Sequence, residues 1–461
     1  MTKKTSYPPP IIFILFLLGL GFGGYWLLYH HPPIGGPIGG LTDGPKPPSP
    51  PQNLINTGER VLISEKLTVE KQSGVEAFAK GNWNEAIAKF QASLLQNPND
   101  PEARIYLNNA KIGNSKALKI AVSVPIGSTI NIAQEILRGA AQAQDEVNNS
   151  GGISGIPIKL VIADDQNEPA IAAQVAREFT KDGTIIAVMG HNFSKAANAA
   201  AEIYQKEGLV AVFPTSGNVA DNKYIFRLAS TSRSEANALA KYAKAKNLGK
   251  IAICADSSDR SSIAIKNEFT DIFRNNGGQI ANTNCDFAAN DFDPQLIMKQ
   301  IVEEGANGIL LRPRIDKIED ATRIAQANQR GLQLMGTSIM YTQKTLDVKQ
   351  AANGMVVSSI WHPDSNPRNP FAKNAEKRWN GPINWRTATS YDSMQVIIAG
   401  LKQSFTRDGL QQFISKKDFS IEGVTGTVKF KSSGERDDEN QIILLKVQPA
   451  NSLTGYDFAP L

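Results

Sequence analysis

Small polar residues and glycines cluster directly after the predicted strands of this chain. These short segments combine hydroxyl side chains, glycines that expose the backbone and a few charges. Such groups suit reversible hydrogen bonding to a small polar ligand rather than covalent chemistry. The segments are residues 125–128, 190–194 and 214–217 in the first half of the predicted fold, and 256–258, 312–314 and 336–338 in the second half.

A histidine and a pair of acids are the residues that could suggest catalysis. His191 stands alone at a strand end, without an HExxH motif or a second histidine nearby, so a hydrogen-bonded structural role is expected and a ligand contact is the alternative. Asp164 and Asp165 precede the sequence NEP, where acidic residues favour a helix start. We therefore expect these two aspartates to cap a helix.

Motifs of doubly wound enzymes are missing from the sequence. The first strand-to-helix turn reads VSVPIGSTINIAQ rather than GxGxxG, and neither GxxxxGK[ST] nor GxSxG occurs. A doubly wound enzyme is thus a weaker alternative, because a fold alone does not establish an activity. We predict no catalytic residue, no cofactor and no metal site.

Strand and helix patterns alternate from Leu118 onward. LKIAVSVPI predicts a buried strand and IAQEILRGAAQAQDEV predicts an amphipathic helix; a second series of the same kind starts after Phe226. Alternation of this type builds parallel sheets that are covered on both faces. The sequence predicts an α/β fold of two lobes with two doubly wound parallel sheets, plus a small all-α module at the amino-terminal side. Ligands of such sheets bind beyond the carboxyl ends of the strands.

One segment carries a family resemblance. DEVNNSGGISGIPIKLVIADDQNEP, residues 145–169, joins the end of a helix to a glycine-rich turn, an apolar strand, an acidic pair and a new helix. It resembles the periplasmic solute-binding proteins of ABC transporters of the branched-chain amino-acid (Leu/Ile/Val) type, which have the type I periplasmic binding fold. The likeness extends from about Lys119 to Leu461. It implies two lobes, between which the chain crosses three times, that close on a small ligand and deliver it to an ABC permease.

The resemblance also implies ligand-binding residues in the first lobe. MGHNFSKAANAAAEIYQKEGLVAVFPTSGN resembles the family segment in which a serine at a helix start and a Pro-Ala/Ser-x-Thr turn hold the carboxylate and ammonium of an amino acid. By motif position, Ser194 would cap the helix and bind the carboxylate, and Thr215 and Ser216 would line the ammonium side. Asn192 and Phe193 belong to the same predicted site.

Several positions depart from the family pattern. Gly217 stands where threonine is usual, and Ser338 in GTSIM takes the place of an acid that leucine-binding members use for the ammonium. Arg312 lies near a position where an aromatic residue is common. These departures point from an apolar amino acid towards a ligand with more negative charge, although Arg312 and Arg314 could instead be a surface pair. Tyr391 resembles part of a Tyr-Asp pair that opens an interface helix, where it would support the hinge or contact the ligand.

The amino terminus has the pattern of a membrane anchor. Residues 11–28 carry no charge, with Lys3 and Lys4 before them and no Lys or Arg after them until Lys46. This asymmetry predicts a transmembrane helix with the bulk of the chain in the periplasm or outside the cell. A cleaved signal peptide is the alternative, but no convincing small-x-small site follows. The proline- and glycine-rich residues 31–56 predict a linker.

A helical module is predicted after the linker. KQSGVEAFAKGNWNEAIAKFQASLLQNPNDPEA, residues 71–103, has the spacing of a tetratricopeptide repeat, with flanking helices expected over 58–70 and 101–111. Only one clear repeat is visible, whereas about three are usually needed for a continuous core. A peptide-binding solenoid is therefore not expected. A packed spacer, or a docking site for a protein partner or another copy of the chain, are the two interpretations.

Composition sets the remaining bounds. A chain of 461 residues with 41% hydrophobic content can form two or three domains. Its net charge of +5 is too small at this length to indicate nucleic-acid binding, and no nucleic-acid motif accompanies it. Cys254 and Cys285 are too few for a disulfide framework or a thiolate metal cluster. Each falls in a predicted strand of one βαβ unit, so a bridge between neighbouring strands is the alternative, but we expect both to be buried as small apolar residues.

These patterns together predict an extracytoplasmic protein that captures a small polar ligand, an amino acid or a related amide or carboxylate, for an ABC permease. A membrane-tethered sensor or scaffold without transport is the alternative, because a tether restricts diffusion to a transporter. The predicted segments are 1–30 (cytoplasmic stub and anchor), 31–56 (linker), 57–115 (helical module), 118–233 with 362–430 (first lobe), and 234–361 with 431–461 (second lobe).

Overall fold

Three helices precede the α/β part of the chain. The computed structural model describes residues 54–329, 331–437 and 441–461. The three helices are α1 (Val69–Ala79), α2 (Trp83–Gln96) and α3 (Pro101–Ile112). A polar residue precedes each helix, and the side chains of Thr68 and Asp100 accept hydrogen bonds from the free N–H groups of α1 and α3. We call residues 57–112 the helical module.

The first lobe is built on a mostly parallel sheet. Its strands are β1 (Ile55–Asn56), β2 (Leu118–Val124), β3 (Ile158–Asp164), β4 (Ile185–Met189), β5 (Val210–Phe213) and β6 (Ile225–Arg227). Their order across the sheet is β1-β3-β2-β4-β5-β6, and only β1 runs antiparallel to its neighbour. Helices α4 (Ile130–Asn149), α5 (Pro169–Lys181) and α6 (Ser194–Glu207) follow β2, β3 and β4. Because helices cover both faces, the strands are apolar almost throughout.

The second lobe has a larger mixed sheet. Its first strands are β7 (Lys250–Ala255), β8 (Gln279–Ile280), β9 (Cys285–Asp286), β10 (Gly308–Arg312), β11 (Gln333–Gly336) and β12 (Val356–Ser359). A separate hairpin follows, β13 (Ile421–Gly423) with β14 (Gly426–Val428), and then β15 (Ile443–Pro449) and β16 (Tyr456–Pro460). The order is β16-β15-β12-β11-β10-β7-β8, with β9 also beside β7. The two last strands are antiparallel additions to a parallel core.

Helices of the second lobe lie between these strands. They are α7 (Ser232–Ala245), α8 (Arg260–Asn275), α9 (Pro294–Glu303), α10 (Ile318–Ala327) and α11 (Gln343–Asp347). Short 3-10 turns occupy Ile315–Lys317, Ser338–Met340, Lys349–Ala352 and Pro363–Ser365. The two sheets with their helices confirm the predicted two-lobed α/β fold.

Three late helices pack on the first lobe before the chain returns to the second sheet. They are α12 (Phe371–Trp379), α13 (Trp385–Leu401) and α14 (Arg407–Ile414). Helix α13 lies against α4, where a Cβ at Gly139 would stand only 2.4 Å from the carbonyl oxygen of Thr387. Glycine is needed at this crossing because the helix backbones approach so closely. Arg407 fixes α14 by donating to the carbonyl oxygens of Ile185 and Asp182, at 2.9 and 2.8 Å.

The helical module is joined to the first lobe by backbone and side-chain bonds. Strand β1 pairs with β3, so Ile55 and Asn56 are not part of the predicted linker. Asn109 of α3 accepts from the N–H of Leu160 at 3.2 Å and donates to its carbonyl oxygen at 2.8 Å. The open edge of β3 is thereby covered.

The helix predicted over residues 58–70 is wrong; α1 begins only at Val69. The cause is competition from side chains for the backbone N–H groups. Asn56 Oδ1 accepts from the N–H of Glu59 at 3.0 Å, and the carboxylate of Glu102 accepts from the N–H of Leu62 at 2.7 Å and of Ile63 at 3.1 Å. These bonds replace the i to i−4 pattern of a helix.

The two cysteines form a disulfide, contrary to the expectation of two free thiols. Strand β9 lies parallel to β7 with Cys285 directly opposite Cys254, and their Cα atoms are 4.5 Å apart. The sequence placed both residues in strands of one unit but could not show that the strands are neighbours. A disulfide is typical of proteins that fold in an oxidising compartment.

The predicted membrane anchor, residues 11–28, lies outside the described residues. Across the part of the chain that the structure describes, no helix is both long enough and apolar enough to cross a bilayer.

His362 makes stability depend on pH. Its Nδ1 accepts from the N–H of Asp364 at 3.1 Å and its Nε2 lies 3.0 Å from the carbonyl oxygen of Phe458, so the folded state uses the neutral ring. Burial lowers the pKa of His362. A histidine with a depressed folded pKa stabilises the fold above its unfolded pKa of about 6.5, and this contribution is lost as the pH falls below that value.

We expect His362→Gln to weaken this pH dependence, because glutamine can donate and accept without titrating. The measurement is urea unfolding of the full chain at pH 7.5 and pH 5.5. The wild type should lose more stability over this interval than the variant. Equal losses in both proteins would contradict the prediction.

Candidate ligand-binding cleft

A cleft lies between the lobes at the carboxyl ends of their strands. One wall comes from the loop after β4, the start of α6 and the turn after β5; the other comes from the first turns of α7 and α8, the end of β10 and the turn after β11. The start of α13 completes the lining. The cavity measures about 90 Å³, several times the 10–15 Å³ or so that one water requires. Open α/β sheets bind ligands at this edge.

Most of the predicted site residues come together here, although they are far apart in the sequence. Two do not reach the cleft lining: Ser216 is buried behind it, and Tyr391 lies elsewhere in the first lobe. The predicted residues that line the cleft are Asn192, Phe193, Ser194, Thr215, Gly217, Arg312 and Ser338.

Ser194 connects the two walls. Its Oγ lies 3.0 Å from Oγ of Ser261 in the first turn of α8, so the lobes touch and the cleft is closed. Ser194 is the first residue of α6, and its side chain makes no capping bond; the residue at the cap is Phe193. The predicted capping role of Ser194 is therefore wrong. Its hydroxyl is used across the cleft instead.

Hydrogen bonds hold the loop after β4 in place. Thr215 Oγ1 donates to Asn192 Oδ1 at 2.9 Å, and Ser216 Oγ donates to the carbonyl oxygen of Asn192 at 2.6 Å. The presence of glycine at position 217 has a steric reason, because a Cβ there would lie 2.9 Å from the carbonyl oxygen of Ser230. The segment between β6 and α7 thus leaves no room for the threonine that is usual in the resembled family.

An acid stands beside Ser338, but it comes from another element. Glu235, in the first turn of α7, accepts from the N–H and Oγ of Ser338 at 2.8 and 2.9 Å. It also accepts from Ser230 Oγ at 2.7 Å and Ser358 Oγ at 2.6 Å. Sequence reasoning missed Glu235 because only strand ends were considered. The sequence does contain an indication of it, because Glu235 stands at the start of the first helix that is predicted after the chain passes to the second lobe.

The two arginines after β10 differ in their surroundings. Arg314 bonds to Asp316, which raises the pKa of Arg314 and lowers the pKa of Asp316. Arg312 donates to the carbonyl oxygen of Pro313 at 2.5 Å and has Asp259 at 3.8 Å, beyond hydrogen-bond range. The Arg312 side chain is only 11% exposed, so it is a cleft residue rather than half of a solvated surface pair.

A further arginine in the cleft was not predicted. Arg386, in the first turn of α13, has a side chain only 2% exposed. Its nearest polar partners are the carbonyl oxygen of Tyr341 at 3.4 Å and Glu135 Oε2 at 3.6 Å, and its guanidinium lies 4.6 Å from the ring centre of Trp385. Burial lowers the pKa of Arg386, and Glu135 opposes this shift. The sequence signal was the NWR motif at the start of a late helix.

His191 is buried behind the cleft wall, as its structural interpretation predicts. Its Nδ1 lies 2.6 Å from Asp165 Oδ2 and its Nε2 lies 2.9 Å from the hydroxyl of Tyr204. Ser123 Oγ donates to the same carboxylate at 3.0 Å. These contacts fix the residue just before Asn192 and so position the ligand-facing loop.

The predicted capping role of the acidic pair is wrong. Asp164 accepts from the N–H groups of Gly127 and Gln166, each at 3.0 Å; Asp165 Oδ1 accepts from the N–H of Asn167 at 3.0 Å, while its Oδ2 faces the histidine. Helix α5 begins after Glu168, and the side chain of Glu168 makes no capping bond. The aspartates therefore shape the turn after β3 rather than the helix start. Burial raises the pKa of Asp164.

Tyr391 supports packing within the first lobe. Its hydroxyl donates to Glu146 Oε2 at 2.6 Å and its ring lies 4.8 Å from that of Phe371. Burial raises the pKa of Tyr391. The neighbouring Asp392 accepts from the N–H of Val424 at 2.8 Å. Of the two predicted roles of Tyr391, ligand contact does not fit this position.

Two doubly wound lobes with a closed polar cleft between them define a two-lobed binding protein with the type I periplasmic binding fold. The chain belongs to the periplasmic binding protein family, whose sequence model matches residues 117–450.

Relatives and solved structures agree with this assignment. The Leu/Ile/Val-binding protein of Citrobacter freundii is 23% identical over 72% of this chain and 91% of its own length. A Pseudomonas aeruginosa protein named amino acid binding protein is 40% identical over 92 residues, which span only 25% of that protein and 20% of this chain.

The solved structures share the fold. A leucine-binding protein from Thermotoga maritima superposes with a TM-score of 0.64 at 19% identity, covering 74% of this chain and 98% of the other. A solute-binding protein of an ABC transporter from R. palustris, in complex with benzoate, has a TM-score of 0.63 at 18% identity and covers 75% and 96% of the two chains.

Proposed function

We propose that this chain captures a small carboxylate-bearing ligand, an amino acid or a related compound, between its lobes for delivery to an ABC permease. The observation that carries the proposal is the cleft itself, in which hydroxyl, amide and guanidinium groups from both lobes converge. The named ligands of the relatives, branched-chain amino acids and benzoate, all carry a carboxylate.

Lobe closure is the proposed mechanism. A ligand held between Ser194 and Thr215 on one side and Arg312 on the other makes its full set of contacts only when the lobes are together. Binding therefore shifts the population towards the closed state, which the permease recognises. We propose that two rigid bodies move relative to each other: residues 118–233 with 362–430 form one, and residues 234–361 with 431–461 form the other.

An extracytoplasmic location fits this function. The disulfide between Cys254 and Cys285 favours an oxidising compartment. We propose that residues 11–28 tether the chain to the membrane and that the helical module, which includes one tetratricopeptide-like repeat, holds the lobes away from it or docks a protein partner.

A tethered sensor is the second candidate function. It is favoured by the joining of the helical module to the first lobe through β1 and Asn109, which would transmit lobe movement to whatever the module contacts. Transport assays with and without the permease would separate the two functions, because a sensor would bind ligand without supporting uptake.

Ser194→Ala is the variant that tests the proposed cleft. We expect the loss of one hydrogen bond to weaken ligand affinity about tenfold, or about 1.4 kcal/mol. The measurement is isothermal titration of the full chain, purified in detergent, with L-leucine, L-glutamate, glutarate and benzoate. Ser150→Ala, which changes an exposed serine at the end of α4, is the matched control.

The control variant should bind as the wild type does. Failure of the wild type to bind any small carboxylate would contradict the proposed function. If Ser194→Ala and the wild type bound with equal affinity, Ser194 would not contribute to ligand binding.

A further inference from the structure

We propose that the natural ligand carries two anionic groups and that Arg386 and Trp385 bind one of them. This inference rests on the proposed function and names its ligand class, a dicarboxylate. The groups that carry it are donors in the cleft whose hydrogen-bonding capacity the described protein atoms do not fully use.

Arg386 is the first of these donors. A guanidinium has five N–H groups and cannot accept hydrogen bonds. Within the described residues, Arg386 has one long bond, to the carbonyl oxygen of Tyr341 at 3.4 Å, and one ion pair, to Glu135 at 3.6 Å. A charge that is nearly fully buried is costly unless it is paired. Glu135 pairs with this charge, but most of the five N–H groups have no hydrogen bond to a described residue, and a ligand anion in the cleft would supply acceptors for them.

Trp385 provides an independent observation. It also lines the cleft and is 5% exposed. Its Nε1 is buried, and no described residue accepts its hydrogen bond. An indole N–H can only donate. Two adjacent residues at the start of α13 thus both have N–H groups for which the described residues supply no acceptor, and a carboxylate has two oxygens to offer them.

The acids of the cleft are already occupied. Glu235 accepts four hydrogen bonds from three serines. Asp259 caps α8 by accepting from the N–H groups of Ser261 and Ser262. Neither acid forms a hydrogen-bonded pair with Arg386. Among the described residues, Glu135 is the carboxylate that pairs with Arg386, at 3.6 Å, and the remaining N–H groups of the guanidinium stay available to a ligand.

A second site of positive charge has different partners. The guanidinium of Arg312 has Asp259 at 3.8 Å and donates to the carbonyl oxygen of Pro313, whereas that of Arg386 lies near Tyr341 and Glu135. The two guanidinium groups have no partner in common and line one cavity. They therefore offer two separate contacts for anionic groups, and a ligand with two carboxylates is the class that would use both.

The test compares ligands that differ in one charge. The full chain is titrated calorimetrically with four compounds. L-Glutamate and glutarate each carry two carboxylates, and L-glutamine and L-leucine each carry one. We expect a dicarboxylate to bind at least about tenfold tighter than L-glutamine, because a charged hydrogen-bonded contact is lost in the amide. Comparison of L-glutamate with glutarate shows whether an amino group is also recognised.

Arg386→Met should abolish this preference. In the variant we expect the dicarboxylate and L-glutamine to bind within about threefold of each other, with the loss falling on the dicarboxylate. Arg323→Met, at an exposed position of α10, is the matched control and should keep the wild-type preference. If Arg386→Met does not fold, Arg386→Lys replaces it. Lysine keeps the positive charge but cannot donate two parallel hydrogen bonds as a guanidinium does, so the preference for the dicarboxylate should become smaller without disappearing.

The outcomes separate the two proposals. Tight binding of L-leucine or L-glutamine without a preference for dicarboxylates would overturn the inference and leave the proposed function standing. An unchanged preference in a folded Arg386→Met protein would also overturn it. Binding of none of the four compounds would contradict both proposals.

Discussion

Replacement of Lys71 by methionine is expected to lower the free energy of unfolding by about 3–5 kcal/mol. Lys71 lies in α1 with no exposed side-chain surface, and its Nζ is 2.7 Å from Glu102 and 2.8 Å from Asp100. Although burial opposes it, these carboxylates hold the pKa of Lys71 above its usual value. Methionine fills a similar volume but leaves two buried carboxylates without their cation.

Urea unfolding and hydrogen exchange of the full chain measure this effect. Amides of residues 57–112 should lose protection first, because the charge network lies inside the helical module. Lys80→Met, at the exposed end of α1, is the control and should unfold as the wild type does. A Lys71→Met protein with wild-type stability would show that the network contributes nothing.

A cysteine pair at positions 194 and 261 is expected to stop ligand exchange when it is oxidised. The hydroxyl oxygens of Ser194 and Ser261 are 3.0 Å apart across the cleft, so Ser194→Cys with Ser261→Cys would place two thiols in contact in the closed state. A disulfide there would lock the lobes together. Ligand entry and release both need the lobes to separate, so both should fall below detection.

Radiolabelled ligand measures the exchange in two directions. The variant oxidised after loading should retain its ligand, and the variant oxidised while empty should take up none. Mild reductant should restore exchange without attacking Cys254–Cys285, which is buried. The single Ser194→Cys variant is the control. Free exchange in the cross-linked protein would show that ligand does not enter between the lobes.

The fold could be predicted because the spacing of apolar residues in the sequence follows the burial of its strands and helices. Strands such as β2 and β3 are covered on both faces, so they read as continuous apolar runs, and helix α4 reads as an amphipathic pattern. The sequence pattern does not indicate strand β16, because it is a partly exposed edge strand with a mixed sequence. The disulfide was missed because neighbouring strands cannot be identified from one sequence.

The site residues that come directly after strands could be predicted, whereas those in the first turns of helices could not. The rule for parallel sheets found the loops that contain Asn192, Thr215 and Arg312. It could not find Glu235 or Arg386, which reach the cleft from the first turns of helices after the chain crosses between lobes. Their position depends on how the lobes pack, and local sequence does not encode that packing.

The central claim is that the lobes close on a small carboxylate ligand, and a distance between lobes tests it most directly. Spin labels at Lys206→Cys on α6 and Lys299→Cys on α9 would report that distance by pulsed electron resonance, since both side chains are exposed, at 82% and 71%. We predict one longer distance without ligand and a shorter one with a bound dicarboxylate. A distance that does not change when binding is saturated would contradict the account.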